Sequence, residues 1–185
     1  MITSEELRAL VYKAYKNAKN KGFFSEGYKD TDYLAAIHDE LSEAFKCWNK
    51  HLGWYTETPK PDGIYFELTD AVIRVLSYSG YKGFDLQHYN METDRPYTTD
   101  DLTDLIVASH AELSQYYDLL VRDCYDDYSE QLFIKCAVRI LSRFIARIEL
   151  FISEASDDVY SLYDLIIKKL EYNATRSEKH GGNEV

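Results

Sequence analysis

Two acidic pairs in this chain have the spacing to do chemistry together: Glu40-x-x-Glu43 and Glu67-x-x-Asp70. On a helix, an i, i+3 spacing puts both carboxylates of a pair on one face, about one turn apart. Four carboxylates within about 5 Å would repel by roughly 3 kcal/mol per pair at an effective dielectric near 20. Such a group persists only if it is protonated or holds cations. Oxygen ligands without His or Cys select Mg²⁺, or Mn²⁺, over zinc. Solvated surface charge is the alternative reading of the same residues.

Helices must position these pairs. Thr3 and Glu6 form a capping-box pattern that opens a helix running to about Lys19. A second helix, capped by Thr31 or Asp32, carries Leu34, Ile37, Leu41, Ala44, Phe45 and Trp48 as one apolar stripe, which gives Trp48 a core position. A third runs from about Gly63 to Ser79 with Ile64, Leu68, Ala71, Val72 and Val75 inward. Glu40, Glu43, Glu67 and Asp70 flank these two stripes, so antiparallel packing would bring the pairs together at the edge of the seam. Further helices are expected near 100–122, 129–153 and 157–174, followed by a polar tail. No segment alternates as a strand does, so the chain reads as an all-α bundle of about six helices.

Composition narrows the class of function. Lys and Arg number 21 against 32 Asp and Glu, a net charge of -11, which repels a nucleic-acid polymer. Hydrophobic residues make up 45% of the chain, enough for a core. Cys47, Cys124 and Cys136 form no metal-binding spacing and read as idle thiols of a reducing compartment. The start of the chain does not resemble a signal peptide. The most apolar run, 136–152, is interrupted by Arg139, Arg143, Arg147 and Glu149, so no membrane span and a cytoplasmic location are expected.

The chain also resembles itself. At an offset of 72 residues His38, Glu40, Leu41 and Ser42 lie over His110, Glu112, Leu113 and Ser114, and the helix around Leu68 lies over the one around Ile140. Glu43, Glu67 and Asp70 then correspond to Gln115, Arg139 and Ser142. Residues 1–97 read as a half that carries the acids and 98–185 as a degenerate second copy, the two forming one compact unit and an internal pseudo-dimer.

The stretches HDELSEAFKCW, GIYFELTDAVIRVL and GYKGFDL, with the C-terminal KLEYNATRSEKHGGN, resemble the MazG-like all-α nucleoside triphosphate pyrophosphohydrolases. That family's ExxE, spacer, ExxD order is met by Glu40, Glu43, Glu67 and Asp70. The resemblance covers 31–86 and 163–183 and fades over 98–155. It implies Mg²⁺-dependent hydrolysis of the α–β phosphoanhydride of a nucleoside triphosphate, giving the monophosphate and pyrophosphate. The four acids would hold Mg²⁺, and Glu43 would take the proton from water. Lys169, Asn173 and Arg176 share one helical face and would donate to the triphosphate; the alternative is a solvated helix end whose cations suit the dipole. Lys179 and His180 join them if the tail folds over a ligand.

Phe23 and Phe24 would line a base pocket, with Trp54 a further candidate for stacking. His38 reads as a helix-surface residue, and Arg74 as a partner of Asp70 or of a phosphate. Relatives of this type pair protomers, so a homodimer is a possible assembly. The rival reading is a non-catalytic helical module that keeps the fold and binds a partner. A ferritin-like di-metal oxidase is disfavoured, because no Glu-x-x-His pair exists among the helices.

Overall fold

The computed structural model describes residues 1–24, 27–56, 60–88, 101–121 and 127–175. They form six helices: α1 (Ser4–Asn20), α2 (Asp30–Asn49), α3 (Ile64–Lys82), α4 (Leu102–Val121), α5 (Asp127–Ala155) and α6 (Leu162–Thr175). Among the described residues there is no strand, and no helix is long and apolar enough to cross a membrane. The fold is all-α, as the helical periodicity predicts.

The helix α3 is the central element. It packs against α1, α2, α5 and α6, and nearly every side chain from Ile64 to Ser79 is buried. A helix enclosed on all sides must be apolar on all sides, and IYFELTDAVIRVL meets that demand except at its acids and Arg74. The helices α2 and α3 run antiparallel. Asp30 pairs with Lys82, Glu40 with Arg74, and Cys47 lies beside Glu67, so position rises along one helix as it falls along the other. At the α1–α3 crossing a Cβ on Gly80 would sit 2.6 Å from the Tyr15 Cβ, so the residue must be glycine for the two helices to approach.

Helix starts show how the local sequence works. The Thr3 hydroxyl accepts from the Glu6 amide at 3.2 Å, and Glu6 accepts from the Thr3 amide at 2.8 Å, the expected reciprocal cap. The helix α2 begins slightly earlier than expected, at Asp30, with the Asp32 carboxylate accepting from the Lys29 amide. The helix α6 begins later than expected, because Asp157 and Asp158 adopt positive φ and break the chain after α5.

One core assignment is corrected. Trp48 is 44% exposed. It lies on the last turn of α2, where its neighbour is the loop residue Trp54, with ring centroids 5.5 Å apart. Phe45 is also exposed, and Cys47 takes the buried position near the end of the helix.

The α2–α4 contact joins residues that the 72-residue offset aligns. The His38 and His110 rings stack 8° from parallel, with their Nδ1 atoms 2.6 Å apart. His38 is therefore a half-buried packing residue, where the sequence suggests a surface one. Ser42 donates to the His38 carbonyl and Ser114 to the His110 carbonyl, each at 2.9 Å.

Candidate metal centre

The acid-bearing faces of α2 and α3 meet at the edge of their seam. Carboxylate oxygens of Glu40, Glu67 and Asp70 lie within 4.8 Å of one another. Glu67 stands in the first turn of α3, one turn before Asp70. The start of that turn is fixed by the preceding loop: the Ile64 and Tyr65 amides donate to the Gly53 and Trp54 carbonyls, at 3.3 and 3.0 Å. Gly63 precedes the helix at φ 105°, and a Cβ there would sit 3.0 Å from Trp54 backbone atoms. Only glycine combines that dihedral with that approach.

Two of the three acids already have a cation. Arg74 Nη2 lies 2.9 Å from Glu40 Oε1, with Nε donating to the same oxygen at 3.0 Å. The Lys169 Nζ, almost fully buried on α6, lies 2.7 Å from Asp70 and donates to the Pro61 carbonyl at 3.2 Å. Glu67 is 6% exposed, and its side chain has no hydrogen bond or ion pair among the described residues. Glu43, on the solvent side of the same face, likewise has no ion pair among them. Lys169 attracts Glu67 as well as Asp70, so the four acids share two cations.

The electrostatics follow from that arrangement. Burial, together with Asp70, pushes the Glu67 carboxyl up to about 8. Burial pushes Glu40 up to about 7, against the pull of Arg74. Asp70 is raised by burial against the opposing charge of Lys169. Burial disfavours the ammonium of Lys169, but the contact with Asp70 outweighs it and raises that pKa.

The donor set fits a hard divalent cation. It is all carboxylate oxygen, on three side chains whose oxygens lie within 4.8 Å of one another.

The other predicted residues divide into groups. Phe23 lies under Arg74, with the guanidinium carbon 5.3 Å from the ring centroid, so it borders the acids. Phe24 does not. It adopts a left-handed φ of 65° and packs with Tyr33 and Tyr81 at 4.9 and 4.8 Å. Lys169 turns toward Asp70, and its ammonium is engaged inside the protein. Asn173 is half-buried on α6, with its Oδ1 lacking a hydrogen bond. Arg176, Lys179 and His180 lie outside the described residues.

Sequence reasoning missed the partner of Arg74. The i, i+4 spacing suggests Asp70, but the antiparallel seam sets Glu40 opposite instead. It also missed Cys47, whose thiol lies within 4.8 Å of Asp62 and Glu67 oxygens.

The second half is built differently at the corresponding place. Glu112 is buried, and its Oε1 accepts from Arg143 Nε and Arg147 Nη2, both at 2.7 Å. Arg143 also donates to Gln115 at 2.9 Å. Two guanidinium groups on one carboxylate leave no negative charge for a metal ion.

Comparison with protein-family models, curated proteins and solved structures gives no match for this chain.

Proposed function

We propose that this protein is a Mg²⁺-dependent nucleoside triphosphate pyrophosphohydrolase that cleaves the α–β phosphoanhydride to a nucleoside monophosphate and pyrophosphate. The observation that carries this reading is the convergence of Glu40, Glu67 and Asp70, with the buried Glu67 side chain making no hydrogen bond or ion pair among the described residues. The ExxE and ExxD order of these acids, and its resemblance to MazG-like enzymes, supplies the reaction class.

Glu40, Glu67 and Asp70 would hold the cation, with Glu43 at the rim. When bound, Mg²⁺ (or Mn²⁺) neutralises phosphate charge and lowers the pKa of an attacking water. The protein's own groups do the rest. Glu43 is exposed beside the cluster and can accept a proton from water on the solvent side. Arg74 fixes Glu40 and lies over the Phe23 ring beside the acids, its guanidinium carbon 5.3 Å from the ring centroid. Lys169 fixes Asp70 from the buried side.

A pyrophosphate-release assay over canonical and modified nucleoside triphosphates, with and without Mg²⁺, tests the proposal. Mg²⁺-dependent release that is lost in Glu67→Gln supports it.

One observation favours a second reading. The pairs Glu40–Arg74 and Asp70–Lys169 are complete without any added ion, as in a helical binding module that keeps the fold without turnover. In that case neither nucleotide hydrolysis nor Mg²⁺-induced stabilisation would be found.

A further inference from the structure

The acidic cluster already contains a cation. Lys169 is the one buried lysine among the described residues, and it reaches the acids from α6, which packs on α3. Its ammonium lies 2.7 Å from Asp70 Oδ2, donates to the Pro61 carbonyl at 3.2 Å, and stands over the Phe66 ring, 5.5 Å from the centroid. A carboxylate, a carbonyl and an aromatic face are partners that a desolvated cation needs.

Lys169 acts on more than one carboxylate. Asp70 attracts it most, and Glu67 and Glu40 add to that attraction. These are the three acids whose oxygens lie within 4.8 Å of one another. Arg74, by contrast, stands at the more exposed edge of the cluster and engages Glu40 through Nε and Nη2. A divalent ion held by Asp70 and Glu67 would therefore face the Lys169 ammonium at short range on the buried side. Two positive charges so placed repel, and there is little water there to screen them.

We propose that Lys169 is the internal counter-ion of the metal-free cluster and sets its affinity for Mg²⁺ by competing for Asp70. It is a positioning residue that gathers the acids before the metal arrives and yields Asp70 when the metal binds. This role rests on the Mg²⁺ site proposed above. A purely structural ion pair between α6 and α3 would behave differently. It would stay in place with metal bound, and its removal would weaken metal binding by freeing Asp70 to move.

Mn²⁺ binding without nucleotide separates the two. The wild-type chain and Lys169→Met are titrated with Mn²⁺, and the electron paramagnetic resonance of the free ion is followed. Lys169→Met should bind Mn²⁺ more tightly by about tenfold or more. Without metal the variant leaves Asp70 without its ammonium partner, so Mn²⁺ should raise its melting temperature by more than it raises that of the wild type. The wild-type chain gives a second reading should the variant not fold. In ¹⁵N-labelled protein the Lys169 ammonium signal, identified by its loss in Lys169→Arg, should be in slow exchange with water in EDTA. Saturation with Mg²⁺ should remove that protection.

Unchanged or weaker Mn²⁺ binding by folded Lys169→Met would overturn the proposal, as would slow ammonium exchange that persists at saturating Mg²⁺. Mn²⁺ binding by neither protein would overturn this role and the hydrolytic reading together. Tighter binding by the variant, without hydrolysis of any nucleotide by the wild type, would support this role and remove the enzymatic reading alone.

Discussion

Glu67 and Glu112 are both buried carboxylates, but their surroundings predict opposite responses to substitution. Glu112 holds Arg143 and the buried Arg147. Removing one partner from a buried ion pair is strongly destabilising, so Glu112→Ala should cost about 3 kcal/mol or more in urea unfolding. The Glu67 side chain makes no hydrogen bond or ion pair among the described residues and its carboxyl is raised to about 8, so in EDTA near neutral pH Glu67→Gln should leave stability little changed, while abolishing the thermal shift produced by Mg²⁺.

The titration of the cluster gives a second test at this scale. Glu40 and Glu67 rise from 4.5 to about 7 and about 8 in the fold. Between those values the folded protein holds protons that the unfolded chain has lost. Metal-free stability from these groups should therefore fall as pH rises from 4.5 through about 8 and then level off. Melting curves in EDTA should show that decline, and Mg²⁺ should raise the melting temperature more at the alkaline end. A rise of metal-free stability over that range, after correction for other groups with the Glu67→Gln variant, would contradict the assignment.

At the level of elements, close approaches set the bundle. Gly80→Ala forces a Cβ to 2.6 Å from Tyr15 and should cost about 1–3 kcal/mol by overpacking α1 against α3, read by urea unfolding.

The α2–α4 contact has its own pH signature. Both His38 and His110 are pushed below 6.5, His38 by burial and then by its neighbour, His110 by burial. The pair is neutral in the fold, so its contribution is intact above the unfolded value of 6.5 and is lost as pH falls through the lower folded values. His110→Phe keeps a stackable ring without a titrating nitrogen. It should flatten that acid limb relative to the parent.

Periodicity made most elements legible in the sequence, because burial of one face imposes the 3.6-residue repeat that Leu34, Ile37, Leu41 and Ala44 display. It placed Trp48 wrongly because a stripe says which way a side chain points, not how far the neighbouring core extends. It found the acids because i, i+3 spacing is local. It could not find Lys169 on Asp70 or Arg74 on Glu40, since those contacts depend on which helices pack and in which direction. Cys47 was passed over because spacing rules look for ligands near in sequence, whereas Asp62 and Glu67 come from another part of the chain.

For the whole molecule, residues that the 72-residue offset aligns in the sequence stand in two electrical states. In the first, four acids face two cations around Glu67, counting Glu43 at the rim. In the second, Glu112 is closed by arginines, with Arg139 and Ser142 where the offset would place acids. The chain should therefore carry one acidic cation cluster, on the α2–α3 side, with α4 and α5 acting as the packing partner. Equilibrium dialysis with Mn²⁺ should show binding that Glu40→Ala removes and that Gln115→Ala leaves within about twofold, since that residue belongs to the closed half.

The most direct measurement is pyrophosphate release from a panel of nucleoside triphosphates by the wild-type chain and by Glu67→Gln, each with Mg²⁺ and with EDTA. The wild type with Mg²⁺ should release nucleoside monophosphate and pyrophosphate in equal amounts. EDTA should abolish release, and the variant should lose at least a hundredfold in kcat, about 2.7 kcal/mol of barrier. Wild-type protein that is folded and inert toward every nucleotide, or a Glu67→Gln variant that turns over normally, would contradict the proposed function.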